Sequence, residues 1–129
     1  MENIYYTVLF SSVFCLFYLF LSFRIGYMRG SPVMKLFFKM NKKITEQKLH
    51  RNVRAHANFS EYVPLFIILL LLSEILQTLP KQILLIVCLL FTYGRLAHAI
   101  CFAFFEYNPF LRISGMLFTY FGLLFFSFN

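Results

Sequence analysis

RAHANFSEYVP, residues 54 to 64, runs directly into an apolar stretch, and that junction decides how the chain is read. Helical spacing puts Arg54, Asn58 and Glu61 at i, i+4 and i+7, on one face. From Val63 to Leu72 no charge interrupts, which is the character of a lipid-embedded helix. A guanidinium, an amide and a carboxylate gathered at the mouth of a membrane helix suit a small zwitterion.

Composition supports a bilayer as the solvent. The 129 residues are 60% hydrophobic and 21% aromatic, with 19 Phe and no Trp, and only 13% are charged. A soluble domain carries about a quarter charged residues, and one small core could not hide this much apolar surface. Cys15, Cys88 and Cys101 all lie inside apolar segments. Their odd number and wide spacing give neither a disulfide framework nor a metal-ligand pattern, so they read as free thiols. No metal site is expected.

Four segments reach the roughly 20 residues that a hydrocarbon core requires. They predict spans over approximately 4–23, 55–79, 82–105 and 110–128, in one membrane domain covering residues 1–129. The expected fold is an all-α integral membrane protein, a four-transmembrane-helix bundle. Pro80 falls in the connection between the second and third spans, and Pro109 stands at the start of the fourth, where proline is tolerated. The N-terminus has Glu2 in place of a basic region, a long apolar run and no small-residue cleavage site, so the first span is expected to be retained.

Charge sets the expected orientation. Nine of the twelve Lys and Arg lie between Arg24 and Arg54. The positive-inside rule places that loop in the cytosol and both termini outside. The net charge of +7 does not point to nucleic acid. These bases flank spans and are not interleaved with stacking aromatics in a soluble module, so topology and anionic lipid explain them better.

In that topology the polar groups of the spans converge at one depth. Arg54, Asn58 and Glu61 stand at the start of the second span and Arg95 and His98 in the same half of the third. Arg112 lies one turn into the fourth and Arg24 at the end of the first. A charge at mid-bilayer costs about 2.5–3.5 kcal/mol on insertion scales, less near the interface, where long side chains snorkel. Interhelical glue is one reading, with Glu61 paired to Arg95 and His98 satisfying a carbonyl. The surplus of cation favours another: Arg54, Arg95 and Arg112 face a single carboxylate, Glu61, at that level, and unmatched arginines want an anionic guest. Glu74, near the outer end of the second span, is expected at the interface or against Lys81. His56 points about 200° away from Arg54 on the helix wheel. No nucleophile elbow, phosphate loop or dinucleotide fingerprint occurs.

RAHANFSEYVPLFIILLL, YGRLAHA from Tyr93 to Ala99 and NPFLRISG from Asn108 to Gly115 resemble the MAPEG family, membrane-associated proteins in eicosanoid and glutathione metabolism. The resemblance covers nearly the whole chain in length, span number and motif order, and is closest to the compact prokaryotic members. It implies a homotrimer with glutathione held between neighbouring subunits near the cytosolic face of a bacterial inner membrane. Arg54, Asn58 and Glu61 match the family's glutathione-binding positions, and Tyr62 matches a tyrosine of the leukotriene C synthase branch. Arg95 and His98 match the arginine and histidine of the prostaglandin E synthase branch. Arg112 falls where those enzymes place the thiol-activating arginine, and Arg24 where a first-helix arginine reaches the cofactor. Phe102 departs from the pattern, standing where both branches have tyrosine. Ser114 is two residues after Arg112 rather than adjacent to it.

The residue types suit that implied chemistry. Glutathione carries two carboxylates and an ammonium, which arginines and a glutamate complement. A free thiol, with a pKa of about 8.5, is only slightly ionised at neutral pH. A guanidinium at Arg112 that lowered this by about two units would stabilise the thiolate by roughly 2.7 kcal/mol. The thiolate could then attack a lipophilic electrophile entering from the bilayer. The reading is a glutathione transferase or peroxidase; the alternative is a non-enzymatic lipid-binding scaffold of the same family. A transporter subunit finds no support, since neither inverted repeats nor broken spans are evident.

Overall fold

The computed structural model describes residues 4–40 and 42–129, and its regular structure is all helical among these residues. Helix α1 covers Tyr5–Met28, α2 Pro32–Phe37, α3 Glu46–Leu76, α4 Lys81–Phe104 and α5 Pro109–Phe128. Four of these, α1, α3, α4 and α5, are long and apolar enough to cross a membrane. The protein is an integral, multi-pass membrane protein.

The helix ends depart from the apolar runs for identifiable reasons. At 31 residues, α3 is about 46 Å long, well beyond a hydrocarbon core of about 30 Å. It begins at Glu46, where Thr45 Oγ1 accepts from the Lys48 N–H at 3.2 Å, so its polar first turns stand outside the apolar zone. It ends at Leu76 and not at 79, because Gln77 adopts a left-handed conformation (φ 52°) and Thr78 N–H closes on Ser73 O. Pro64 is carried inside α3, where a missing N–H is tolerated among neighbouring helices. The short α2 was not expected. Gly30 at φ +86° reverses the chain after α1, and Ser31 and Pro32 occupy the N-cap and first positions that start a helix.

Between helices the centre is aromatic. Phe66 and Phe91 stack with ring centroids 3.7 Å apart, and Phe14 meets Phe59, Phe66 and Phe91 edge-on. Lipid is as apolar as these rings, so their contribution is close packing and not exclusion from water. The tightest contact is α4 against α5. A Cβ on Gly94 would stand 2.8 Å from Gly115 O, and one on Gly115 2.8 Å from the His98 nitrogen. Only glycine lets the two backbones touch there.

Glu74 corrects the sequence expectation. It does not reach the interface or Lys81; it is buried, and its carboxylate accepts the Tyr6 N–H at 2.8 Å and the Thr7 N–H at 2.7 Å. Helix α1 has no side-chain cap of its own. An acid from α3 satisfies its orphan donors and meets the positive end of its dipole.

Candidate functional site

At the basic end the arginines divide into two groups. Arg24 and Arg51 turn inward to the C-terminus of α4, whose last turn has no basic residue of its own. Arg24 Nε donates to Asn52 Oδ1 at 2.8 Å and its Nη2 to Ala103 O at 3.3 Å, while the guanidinium lies 4.2 Å over the Phe104 ring. Arg51 Nη2 donates to Cys101 O at 3.2 Å and also to Phe105 O. Buried Asn52 completes the set, donating to Lys48 O and Ala103 O. Three side chains from two other helices thus serve the orphan carbonyls of α4.

A second cluster forms where α4 faces α3 and α5. Arg95 is 0% exposed. Its Nη1 donates to Thr119 Oγ1 at 3.2 Å, its Nη2 lies 3.3 Å from His98 Nδ1, and its guanidinium lies 4.8 Å from the centre of the Tyr62 ring. Thr119 Oγ1 in turn donates to Gly115 O at 2.7 Å. A charge buried this far from water is tolerable only with such partners, and even so Nε has none among the described residues. Tyr62 also meets Tyr120, with rings 6.1 Å apart and hydroxyls at 3.5 Å. The His98 ring lies 4.9 Å from Phe102, and Phe102 is approached by the guanidiniums of Arg51 and Arg112 at 5.2 and 5.7 Å. The ring series from Tyr62 to Phe102 therefore links Arg95 and His98 to Arg112.

The remaining sequence candidates face outward from the single subunit. Arg54, Glu61 and Arg112 are exposed, and Asn58 is half-buried. None of these four side chains has a hydrogen-bond partner elsewhere in the chain among the described residues. The structure gathers Tyr62, Arg95, His98 and, through Phe102, Arg112. It leaves Arg54, Asn58 and Glu61 on the α3 surface, with no hydrogen bond to Arg112 among the described residues, and it engages Arg24 with Asn52 and Ala103. Ser114 sits 3.2 Å from the Tyr93 hydroxyl. His56 turns toward α1, its ring 4.6 Å from Tyr18.

Asn52, Arg51 and Thr119 were not singled out in the sequence. Arg51 and Asn52 carry a signal that could have found them, since they extend the polar series of α3 one turn upstream of Arg54. Thr119 has none; a threonine in an apolar span is ordinary.

Three openings bear on chemistry. A cleft of about 240 Å³ beside Phe102 is lined by Arg51, Arg112, Tyr107 and Asn108. An apolar groove of about 400 Å³ between α1 and α3 is floored by Phe14, Phe59 and Val63 and bordered by Cys15 and Tyr18. A wider opening, about 1170 Å³, lies at the opposite end around Tyr6, Glu74 and Lys81. There the Glu74 carboxylate is already committed to α1, so volume alone does not make that end a site.

The family model described as the MAPEG family matches residues 7–129. Comparison with curated proteins and with solved structures returns no match. The match spans essentially the whole chain, so the protein belongs to the MAPEG family, whose members include glutathione transferases and related enzymes.

Proposed function

From membership of the MAPEG family we propose that this chain is a membrane-bound glutathione transferase or peroxidase, joining the glutathione thiolate to lipophilic electrophiles or reducing lipid hydroperoxides. The observation that carries the reading is the outward presentation of Arg54, Asn58, Glu61 and Arg112, polar groups at one end of apolar helices with no side-chain hydrogen bond among the described residues. Exposed charges there call for a ligand, a second subunit or both. A homotrimer meets both needs, with α3 of one copy and α5 of a neighbour closing on one glutathione. Orientation by positive charge argues for the cytosolic side, and resemblance to the compact prokaryotic members for a bacterial inner membrane.

Roles follow from position. Glu61 takes the glutathione ammonium, and Arg54 and Asn58 a carboxylate and its neighbouring amide. Tyr62 presents its hydroxyl while Arg95, buried behind it and braced by His98, holds the ring in place and contributes positive potential to the bound anion. Arg112 is the catalytic group: always protonated, it stabilises thiolate and accepts no proton. Arg24 enters only through the order it imposes on the end of α4 near Phe104. The lipophilic partner would reach the thiolate from the surrounding bilayer.

One observation favours the scaffold reading. Phe102 places a bare ring between two guanidiniums, where a hydroxyl would serve a cofactor. Purified protein in detergent is expected to conjugate glutathione to chlorodinitrobenzene or to reduce a lipid hydroperoxide, and cross-linking to give a trimer. Calorimetry without a glutathione signal, in folded protein that still binds a fatty acid, would replace the enzyme with the scaffold.

A further inference from the structure

Helix α2 carries an apolar face that nothing among the described residues covers. Val33, Leu36 and Phe37, at i, i+3 and i+4, are 56%, 81% and 75% exposed. The opposite side packs inward: Met34 Cγ would meet a Cβ on Gly26 at 3.1 Å, so α2 lies flat against α1. The chain then runs back along α1, with the Phe38 ring 6.3 Å from Phe20 and the Met40 N–H on the Tyr27 hydroxyl at 3.1 Å. Phe20 to Met28 forms the last two turns of a membrane-spanning helix. The segment therefore lies beside the end of a span, not in bulk water above it.

Cations frame that apolar face. Lys35, Lys39, Lys42 and Lys43 are exposed. Lys42 and Lys43 join Lys48 and Arg51 around an opening of about 360 Å³ whose other wall is Phe104 and Phe105, with Glu106 as its one acid among the described residues. Phe104 and Phe105 are themselves exposed. Apolar side chains at acyl depth next to lysines at headgroup depth are complementary to an anionic lipid surface and to little else.

We propose that residues 31–40, with Lys42 and Lys43, form an interfacial anchor that binds anionic phospholipid at the basic end of the bundle. Val33, Leu36 and Phe37 enter the acyl boundary, the lysines meet the phosphates, and one headgroup occupies the opening at Lys48 and Arg51. The anchor is independent of glutathione.

The absence of tryptophan makes this directly measurable, because a single Phe37→Trp is the only indole in the protein. Full-length F37W is reconstituted into vesicles of phosphatidylcholine with phosphatidylglycerol, one lipid or the other carrying bromines on its acyl chains. The expected result is blue-shifted emission quenched by bromolipid, with brominated phosphatidylglycerol favoured about fivefold over its even share, the effect of about one lysine near an anionic surface. Lys35→Gln, Lys39→Gln, Lys42→Gln and Lys43→Gln together should bring that preference close to one while quenching persists. Water-like emission without quenching overturns the anchor, since the face would then be open to solvent or to a soluble partner. Blue-shifted emission that no bromolipid quenches overturns it in favour of a second copy of the chain. An unchanged phosphatidylglycerol preference in the lysine variant removes the electrostatic part.

Discussion

Two carboxylates on α3 meet opposite fates. Glu74 is buried, and both of its oxygens receive backbone N–H groups of α1. Glu61 is exposed, on the same face as Arg54 and Asn58. No cation is needed at Glu74, because the unpaired N–H groups and dipole of α1 supply the positive potential. Glu61 has no such partner. One acid belongs to the fold, and the other is presented.

The arginines divide along the same line. Arg24 and Arg51 donate to carbonyls at the end of α4, whereas Arg54 and Arg112 are exposed, Arg112 meeting the bundle at the Phe102 ring. Arg95 stands between the groups, fully buried yet in contact with Tyr62. Substitutions in the first group should act on stability and those in the second on chemistry.

The largest effect should come from Glu74→Ala. It leaves two N–H groups of α1 without acceptors away from water, and hydrogen bonds to a charged group are worth about 1.5–3 kcal/mol each. A loss of about 3 kcal/mol or more is expected in unfolding followed by circular dichroism in one detergent. Glu74→Gln retains an acceptor oxygen and should lose less. The glutathione dependence of whatever protein remains folded should not change. Wild-type stability in Glu74→Ala would dissolve the contrast between the two acids.

Arg112→Ala should act on chemistry with little effect on folding. If its guanidinium lowers the thiol pKa by about two units, turnover should fall about 25-fold at neutral pH and about a hundredfold, equivalent to about 2.7 kcal/mol, at pH below both pKa values. Glutathione should still bind within about tenfold of wild type. Thiolate absorbance followed against pH reports the shift directly: the curve should move to higher pH, because the anion has lost its stabilising cation. An unchanged titration would return the role to Arg95 or His98.

How much of this was legible beforehand depends on the range of the interaction. The spans follow from runs of apolar residues, a local property, so the four long helices could be read to within a turn or two except at the start of α3. There the helix continues past the apolar zone because its propensity and the Thr45 cap do not end where lipid ends. Ser31 and Pro32 form a helix-start signal, but the six residues of α2 are too few to show a helical period. The Glu74 cap was not readable at all: nothing near residue 74 says that residues 6 and 7 will arrive beside it. Likewise the sequence places Arg24, Arg95 and Arg112 at one depth but cannot say which faces a carbonyl, a ring or the outside.

Glu61→Gln sharpens the comparison from the other side. The amide keeps the shape and removes the charge that answers an ammonium. An increase of about tenfold in the KM for glutathione is expected, about 1.4 kcal/mol, with kcat within about twofold. Because the side chain is exposed, stability should stay within about 0.5 kcal/mol of wild type. A collapse in turnover at constant KM would make Glu61 a catalytic or packing residue and place it nearer to Glu74 in kind.

The smallest effect separates the ring of Tyr62 from its hydroxyl. The ring face lies under Arg95, and phenylalanine would keep that contact. The hydroxyl reaches only Tyr120, at 3.5 Å, too long to contribute much to the fold. Tyr62→Phe should therefore melt within about 0.5 kcal/mol of wild type and raise the KM for glutathione about threefold, a loss of less than 1 kcal/mol for one neutral hydrogen bond. Tyr62→Leu removes the aromatic face as well. With Arg95 buried and its Nε already unpaired, that variant should lose roughly a further 1–2 kcal/mol of stability. If the two variants melted together, Arg95 would be held by Thr119 and His98 alone, and the link from the buried cluster to the presented face would no longer run through Tyr62.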